Sequence, residues 1–189
     1  MSPDLGISGV APEGRPTQGP AARLLAALRP RPGQRFLDLA CGPGMFFFPV
    51  FEAMEGQGVF LAAEWEEEGL RRFLTRLETY VGHPGYTRVE VMRAKPDRLP
   101  LPDRCADLVL LDQDASPSPL VRALPELRRL LAPGGIVCLL GSIPDGIAPL
   151  GFAAPGTEQA AGAELAAAGF QWRVSHTGLG GRWCLTARL

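Results

Sequence analysis

The sequence predicts an α/β fold built on a parallel β-sheet. Short apolar runs, each about as long as a buried strand, alternate with segments of helical periodicity. The clearest helical segment follows Trp65, where apolar residues recur with the spacing of one helix face, at Leu70, Phe73, Leu74 and Leu77. Runs that are apolar throughout are typical of strands covered by helices on both sides. The main strand-like runs are 36–39, 59–63, 107–111 and 136–140.

The first strand-like run ends in a loop that carries two glycines, Gly42 and Gly44. Glycine allows backbone angles and close approaches that a Cβ atom would prevent, so we expect a ligand to lie against this loop. The loop does not match the dinucleotide fingerprint, which needs a third glycine three residues after Gly44, because Phe47 stands there. The loop therefore argues against NAD as the ligand.

The second strand-like run ends in a carboxylate, Glu64, about 20 residues after Gly44. At this spacing the second strand of a nucleotide-binding unit presents an acid to ribose hydroxyls. A carboxylate suits that position because it accepts hydrogen bonds from two adjacent hydroxyls at once. The glycine loop and Glu64 together predict a site for a ligand that contains ribose.

The segment Asp38-Leu39-Ala40-Cys41-Gly42-Pro43-Gly44 resembles the first motif of class I S-adenosylmethionine-dependent methyltransferases, with Ala40 in place of the usual first glycine. Three later segments are also similar to that family: Leu99 to Asp103, Leu127 to Gly135, and Ala168-Gly169-Phe170. The resemblance implies a Rossmann-like, seven-stranded, mostly parallel sheet with helices on both faces and an antiparallel last strand. Within the family, the glycine loop and the Leu-Pro-Leu-Pro-Asp phrase look most like the small-molecule, ubiquinone-biosynthesis-type branch.

The resemblance also implies S-adenosylmethionine as the cofactor. Trp65 is expected either to cover the adenine or to pack at the rim of the site. Many members carry an acid for the adenine amino group where this chain has Lys95, so adenine would be bound by backbone and apolar contacts. The residues expected to bind the cofactor are Asp38, Ala40, Cys41, Gly42, Gly44, Glu64, Trp65, Lys95 and Asp112.

No catalytic base can be assigned from the sequence. Asp112 and Asp114 follow the fourth strand, where this family gathers its substrate-facing groups, and His176 stands at the end of a late strand. Each of the three also has an ordinary structural explanation, since Asp is common in turns and a lone histidine is usually solvated. The Asp-x-Asp pair resembles part of a metal-dependent O-methyltransferase site, but Gly141-Ser142 replaces the rest of that ligand set, so no metal is predicted.

Composition limits the possible partners and the setting. The 189 residues carry a net charge of −1, which gives no general attraction to nucleic acid or anionic lipid. The first 20 residues have no apolar core of a secretion signal, and the four cysteines include no C-x-x-C pair, so a cytoplasmic protein with free thiols is expected. We expect a flexible leader over 1–20 and a single domain over 21–189, and leave monomer or homodimer open.

The favoured function is transfer of a methyl group from S-adenosylmethionine to a small-molecule acceptor. The alternative is a methyltransferase-like module that binds a ligand or partner without turnover. Lys95, Ala40 and the lack of a clear base favour the alternative, whereas the glycine pair and Glu64 favour the enzyme. The acceptor is expected to contact the loops 112–120 and 141–156, the second of which is long enough to form a lid.

Overall fold

The computed structural model describes residues 19–112, 119–142, 158–177 and 182–189. Most of the predicted leader, Asp114, and most of the two predicted acceptor loops lie outside the described residues. The helices are α1 (Pro20–Leu28), α2 (Phe47–Ala53), α3 (Glu67–Leu77), α4 (Pro119–Leu130) and α5 (Glu158–Ala167). The strands are β1 (Arg35–Leu39), β2 (Val59–Glu64), β3 (Val89–Arg93), β4 (Ala106–Asp112), β5 (Leu131–Ser142), β6 (Gln171–Thr177) and β7 (Arg182–Arg188).

The seven strands form one sheet in the order β3-β2-β1-β4-β5-β7-β6. Strands β1 to β5 pair in parallel, whereas β7 runs antiparallel to both β5 and β6. The prediction of a mostly parallel, seven-stranded sheet with an antiparallel last strand is confirmed. The order places β1 at the centre of the parallel half, with β2 on one side and β4 on the other.

Helices cover both faces of the sheet, and each face has its own apolar core. On one face α1, α2 and α3 pack on Phe36, Phe60 and Leu108. Seven aromatic rings meet there, and Phe47 lies at their centre, with its ring centroid 4.9 Å from that of Phe73. On the other face α4 and α5 pack on residues such as Leu37 and Val109. The alternation of Phe36 and Leu37 between the faces explains the continuous apolar run.

Two elements differ from the sequence prediction. Helix α4 continues through Pro125, where a break or a restart was expected. Pro125 lies on the exposed side of the helix, while Ala123, Leu124 and Leu127 anchor the opposite side in the core. Strand β5 begins before the expected 136–140, because Leu131 already pairs with Ala106 and the Pro-Gly-Gly turn is bulged out between that pair and the next.

In the part of the chain that the structure describes, no helix is both long enough and apolar enough to cross a membrane.

Candidate functional site

The candidate site lies at the carboxyl ends of β1, β2 and β4. The chain passes from β1 to its neighbour β2 and later returns to β4 on the other side of β1, so the direction of winding changes here. Such switch points open a crevice at the carboxyl edge of parallel sheets, and ligands bind in it. The glycine loop, Glu64 and Asp112 all emerge at this edge.

The loop after β1 follows a left-handed conformation at every second residue. The φ angles are 56° at Ala40, 51° at Gly42 and 76° at Gly44, which explains the small residues at alternate positions. A Cβ at Gly44 would lie 2.3 Å from the Phe48 ring, whereas no atom lies within 4 Å of a Cβ built at Gly42. The loop is therefore packed beneath Gly44 and open above Gly42.

Glu64 joins the end of β2 to the glycine loop. Its side chain is only 2% exposed, and its Oε2 accepts a hydrogen bond of 2.7 Å from the amide of Gly42. Its Oε1 accepts from the amides of Trp65 and Glu66 at 2.8 and 2.9 Å. Three of the four lone-pair positions of the carboxylate are thus filled, and the second position on Oε2 has no hydrogen-bond partner among the described residues.

Gly69 in the first turns of α3 leaves room for this arrangement. A Cβ at Gly69 would lie 2.9 Å from Cδ of Glu64. Any larger side chain there would push the carboxylate away from the amides that hold it. The sequence gives no signal for this role, because Gly69 falls within a helical pattern and has an ordinary helical backbone.

Asp38 near the end of β1 and Cys41 in the loop are both buried. Burial raises the pKa of Asp38 well above its usual range, and the nearby carboxylates of Asp112 and Glu64 raise this pKa further. Burial also raises the pKa of the Cys41 thiol, again with a contribution from Asp38 and Glu64. Cys41 is consequently a protonated thiol and not a nucleophile at neutral pH.

A cleft of about 610 Å³ opens beside Glu64, past the ends of β2 and β3. Trp65 forms one wall, and its buried Nε1 has no hydrogen-bond acceptor among the described residues. The other residues that line the cleft are Arg93, Ala94, Lys95, Arg98, Leu99 and Pro100. Trp65 was expected to cover the adenine or to pack at the rim, and Lys95 stands where many members carry the adenine-binding acid. Both residues border this cleft.

Two arginines that the sequence analysis did not select support the site. Arg76 of α3 donates to the carbonyl of Gly44 at 3.3 Å and stacks over the Phe48 ring at 4.5 Å. Arg129 of α4 donates to the carbonyls of Leu99 and Leu101 and so fixes the far wall of the cleft. Both contacts join residues far apart in the chain, so no local pattern could have indicated them.

The structure brings most of the predicted site residues together but leaves the catalytic candidates open. Asp112 ends β4 next to the glycine loop and acts electrostatically on Asp38. Asp114 is outside the described residues, and only the backbone of His176 is described, in β6. Within the described ranges, no group of three or more His, Cys, Asp or Glu side chains is placed to hold a metal ion.

The sheet order, the glycine loop and the acid after β2 define the Rossmann-like class I methyltransferase fold. Residues 36–135, which are more than half of the chain, match the family described as "Methyltransferase domain". The chain belongs to this methyltransferase domain family. The predictions of a methyltransferase and of S-adenosylmethionine as its cofactor are confirmed at the level of the family.

A curated relative from Streptomyces fradiae, called "Uncharacterized 37.1 kDa protein in transposon TN4556", is 33% identical over 116 residues. The matched part is 59% of this chain and 31% of the relative, so the chain spans about a third of that protein's length.

Solved structures of methyltransferases have the same fold. One is a SAM-dependent methyltransferase from Aquifex aeolicus, with 22% identity, a TM-score of 0.68 and coverage of 88% of this chain and 87% of the other. The precorrin-6y C5,15-methyltransferase from Geobacter metallireducens has 20% identity, a TM-score of 0.69 and coverage of 89% and 86%. The glycopeptide N-methyltransferase MtfA, complexed with S-adenosyl-L-methionine, has 16% identity, a TM-score of 0.70 and coverage of 94% and 89%.

Proposed function

We propose that this chain transfers a methyl group from S-adenosylmethionine to a small-molecule acceptor. The observation that carries the proposal is the Glu64 carboxylate, buried and held against the amide of Gly42. An acid fixed in this way beside an open glycine loop suits a ribose.

The residues present fit the cofactor. The space above Gly42 and the cleft beside Trp65 lie on either side of Glu64, which is the order of amino acid, ribose and base along S-adenosylmethionine. Glu64 would accept from a ribose hydroxyl at its free Oε2 position, and the Trp65 ring would cover the base. The bound cofactor supplies a methyl group that its sulfonium already activates, so the protein needs no group to activate the donor.

The chain's own residues position the reactants. Arg76 and Phe48 hold the glycine loop from below, which keeps the surface above Gly42 fixed. Asp112 ends β4 at the edge of the crevice, where an acceptor would approach, and we assign to it the role of taking or holding an acceptor's proton. Cys41 cannot serve as a base, because its thiol is buried and protonated.

Two observations support a small molecule as the acceptor. The net charge of −1 gives no field that would attract a nucleic acid. Two of the structurally similar enzymes are named for a precorrin and a glycopeptide. We extend the proposal to the ubiquinone-biosynthesis-type branch, a single domain over 21–189 and a cytoplasmic setting, which the free thiols of the cysteines support.

The acceptor class is tested with a labelled methyl donor. Cell extract is separated into a small-molecule fraction and a macromolecular fraction, and each is incubated with the protein and labelled S-adenosylmethionine. We expect label in the small-molecule fraction with the native protein and none with Glu64→Ala. Label in the macromolecular fraction alone would contradict the proposed acceptor.

The alternative function is a binding module without turnover, and Lys95 at the wall of the cleft is the observation that favours it. Such a module would bind S-adenosylhomocysteine and label neither fraction. An enzyme labels one of them, so the same experiment separates the two functions.

A further inference from the structure

The cleft beside Trp65 presents hydrogen-bond donors to a bound base. Three of the residues that line it are cations, Arg93, Lys95 and Arg98, and no carboxylate is found among the described residues of its lining. The acids nearby in the chain are held by arginines: Asp97 pairs with Arg122 at 2.8 Å, and Glu67 pairs with Arg93 at 3.5 Å.

Two of the main-chain carbonyls that line the cleft already accept hydrogen bonds. The carbonyl of Lys95 accepts from the amide of Arg98 at 3.0 Å, and the carbonyl of Leu99 accepts from Arg129 at 3.1 Å. The buried Nε1 of Trp65 finds no acceptor among the described residues, although buried donors are normally paired. Among the described residues, the wall of the cleft thus lacks an acceptor for this donor.

The two common kinds of purine differ at the edge that such a cleft would contact. Adenine has an acceptor at N7 but a donor at its 6-amino group, whereas a 6-oxo purine has acceptors at both N7 and O6. A lysine ammonium is a donor only, and it binds the O6 and N7 pair of a 6-oxo purine well. An adenine amino group would find no partner in Lys95.

We propose that Lys95 makes the base site of this methyltransferase a donor site, which binds a 6-oxo purine nucleoside at least as well as the adenine nucleoside. The inference rests on the proposed function, because it takes the cleft as the part of the cofactor site that holds the base. Lys95 is the residue that sets base specificity in this proposal. Its ammonium donates hydrogen bonds at the position where the acid of other members accepts from the adenine amino group.

The test compares two ligands that differ only at position 6 of the purine, S-adenosylhomocysteine and S-inosylhomocysteine. Calorimetric titration of the native protein is expected to give dissociation constants within about threefold of each other, or tighter binding of the inosyl compound. Lys95→Asp supplies an acceptor, so its preference is expected to move towards the adenosyl compound by about tenfold or more.

The matched control is Arg88→Asp, which makes the same change of charge. Arg88 is exposed and borders a separate groove with Val59, at the opposite end of β2. This variant is expected to keep the native ratio of the two dissociation constants, because it changes the overall charge at a position away from the cleft.

The outcomes separate this inference from the proposed function. If the native protein binds the adenosyl compound at least tenfold more tightly than the inosyl compound, the proposal of a donor site is wrong. The proposed cofactor site is not affected by that result. If Lys95→Asp leaves the ratio of the two dissociation constants unchanged, Lys95 does not set the base specificity. Failure of both ligands to bind the native protein would overturn the proposed function, and this inference with it.

Discussion

At the residue scale, Asp38 is a buried carboxyl of the candidate site whose ionisation is unfavourable in the folded protein. It is 2% exposed, and its neighbours Asp112 and Glu64 make ionisation still less favourable than burial alone would. A carboxyl whose pKa is higher in the folded than in the unfolded chain stabilises the fold only while it is protonated. Its contribution is complete below the unfolded pKa and is lost as the pH rises through the folded pKa.

We therefore predict that Asp38→Asn raises the free energy of unfolding at pH 7. The gain should shrink as the pH falls towards the ordinary aspartate pKa of 3.8, because the native carboxyl is then neutral as well. Urea unfolding over a range of pH measures both effects. Parallel pH profiles for the two proteins would show that Asp38 does not titrate as the structure indicates.

Ala40 is strained in its backbone, because it adopts a left-handed conformation with a φ of 56°. That conformation costs a residue with a Cβ about 1–2 kcal/mol, and part of the gain from glycine is offset by its more flexible unfolded chain. We expect Ala40→Gly to stabilise the protein by about 0.5–1 kcal/mol in urea unfolding. The control Ala62→Gly, in the buried strand β2, should destabilise it by about 1 kcal/mol. A lower free energy of unfolding for Ala40→Gly would contradict the prediction that the backbone of Ala40 is strained.

At the scale of elements, Arg129 joins α4 to the loop that closes the cleft. Its guanidinium pairs with Glu126 and Asp103 and donates to the carbonyls of Leu99 and Leu101. Glu126 in turn accepts from the amide of Leu99 at 2.9 Å, and the Arg129 hydrogen bond holds the pKa of Glu126 below its usual range. One arginine thus organises the whole far wall of the cleft.

Arg129→Ala is expected to destabilise the protein by about 1–3 kcal/mol, because the partly buried carbonyls of Leu99 and Leu101 lose their donor. The amide of Leu99 should exchange hydrogen faster, since its acceptor Glu126 loses the partner that fixes it. Arg129→Lys retains the charge but lacks the planar set of guanidinium donors. Its free energy of unfolding should lie between those of the native protein and Arg129→Ala. An unchanged exchange rate at Leu99 in Arg129→Ala would contradict this role.

Elements were predictable where one local pattern determines them. The apolar runs and the spacing of Leu70, Phe73 and Leu77 predicted β1, β2, β4 and α3 to within a few residues. The course of α4 through Pro125 was not predictable, because it depends on the burial of the opposite side of the helix. The early start of β5 likewise depends on pairing with Ala106, which is distant in sequence.

At the scale of the whole molecule, the resemblance to a known family predicted the number of strands and the antiparallel last strand, whereas the site residues that it implies stay a prediction. Residue patterns alone indicated a parallel sheet and a glycine loop followed by an acid. They could not indicate that the Glu64 carboxylate binds the amide of Gly42, nor that Arg76 and Arg129 brace the site. These contacts join separate elements, and only the packed sheet brings them within hydrogen-bond distance.

The central claim is that the glycine loop and Glu64 form a site for S-adenosylmethionine. It is tested most directly by calorimetric titration with S-adenosylmethionine and S-adenosylhomocysteine. The variant is Glu64→Ala, and the control is Glu68→Ala, which removes an exposed acid of α3 that pairs with Arg71 and Arg72. We predict micromolar binding of both ligands to the native protein and the control, and strongly weakened binding to Glu64→Ala. Absence of binding to the native protein at millimolar ligand would contradict the claim.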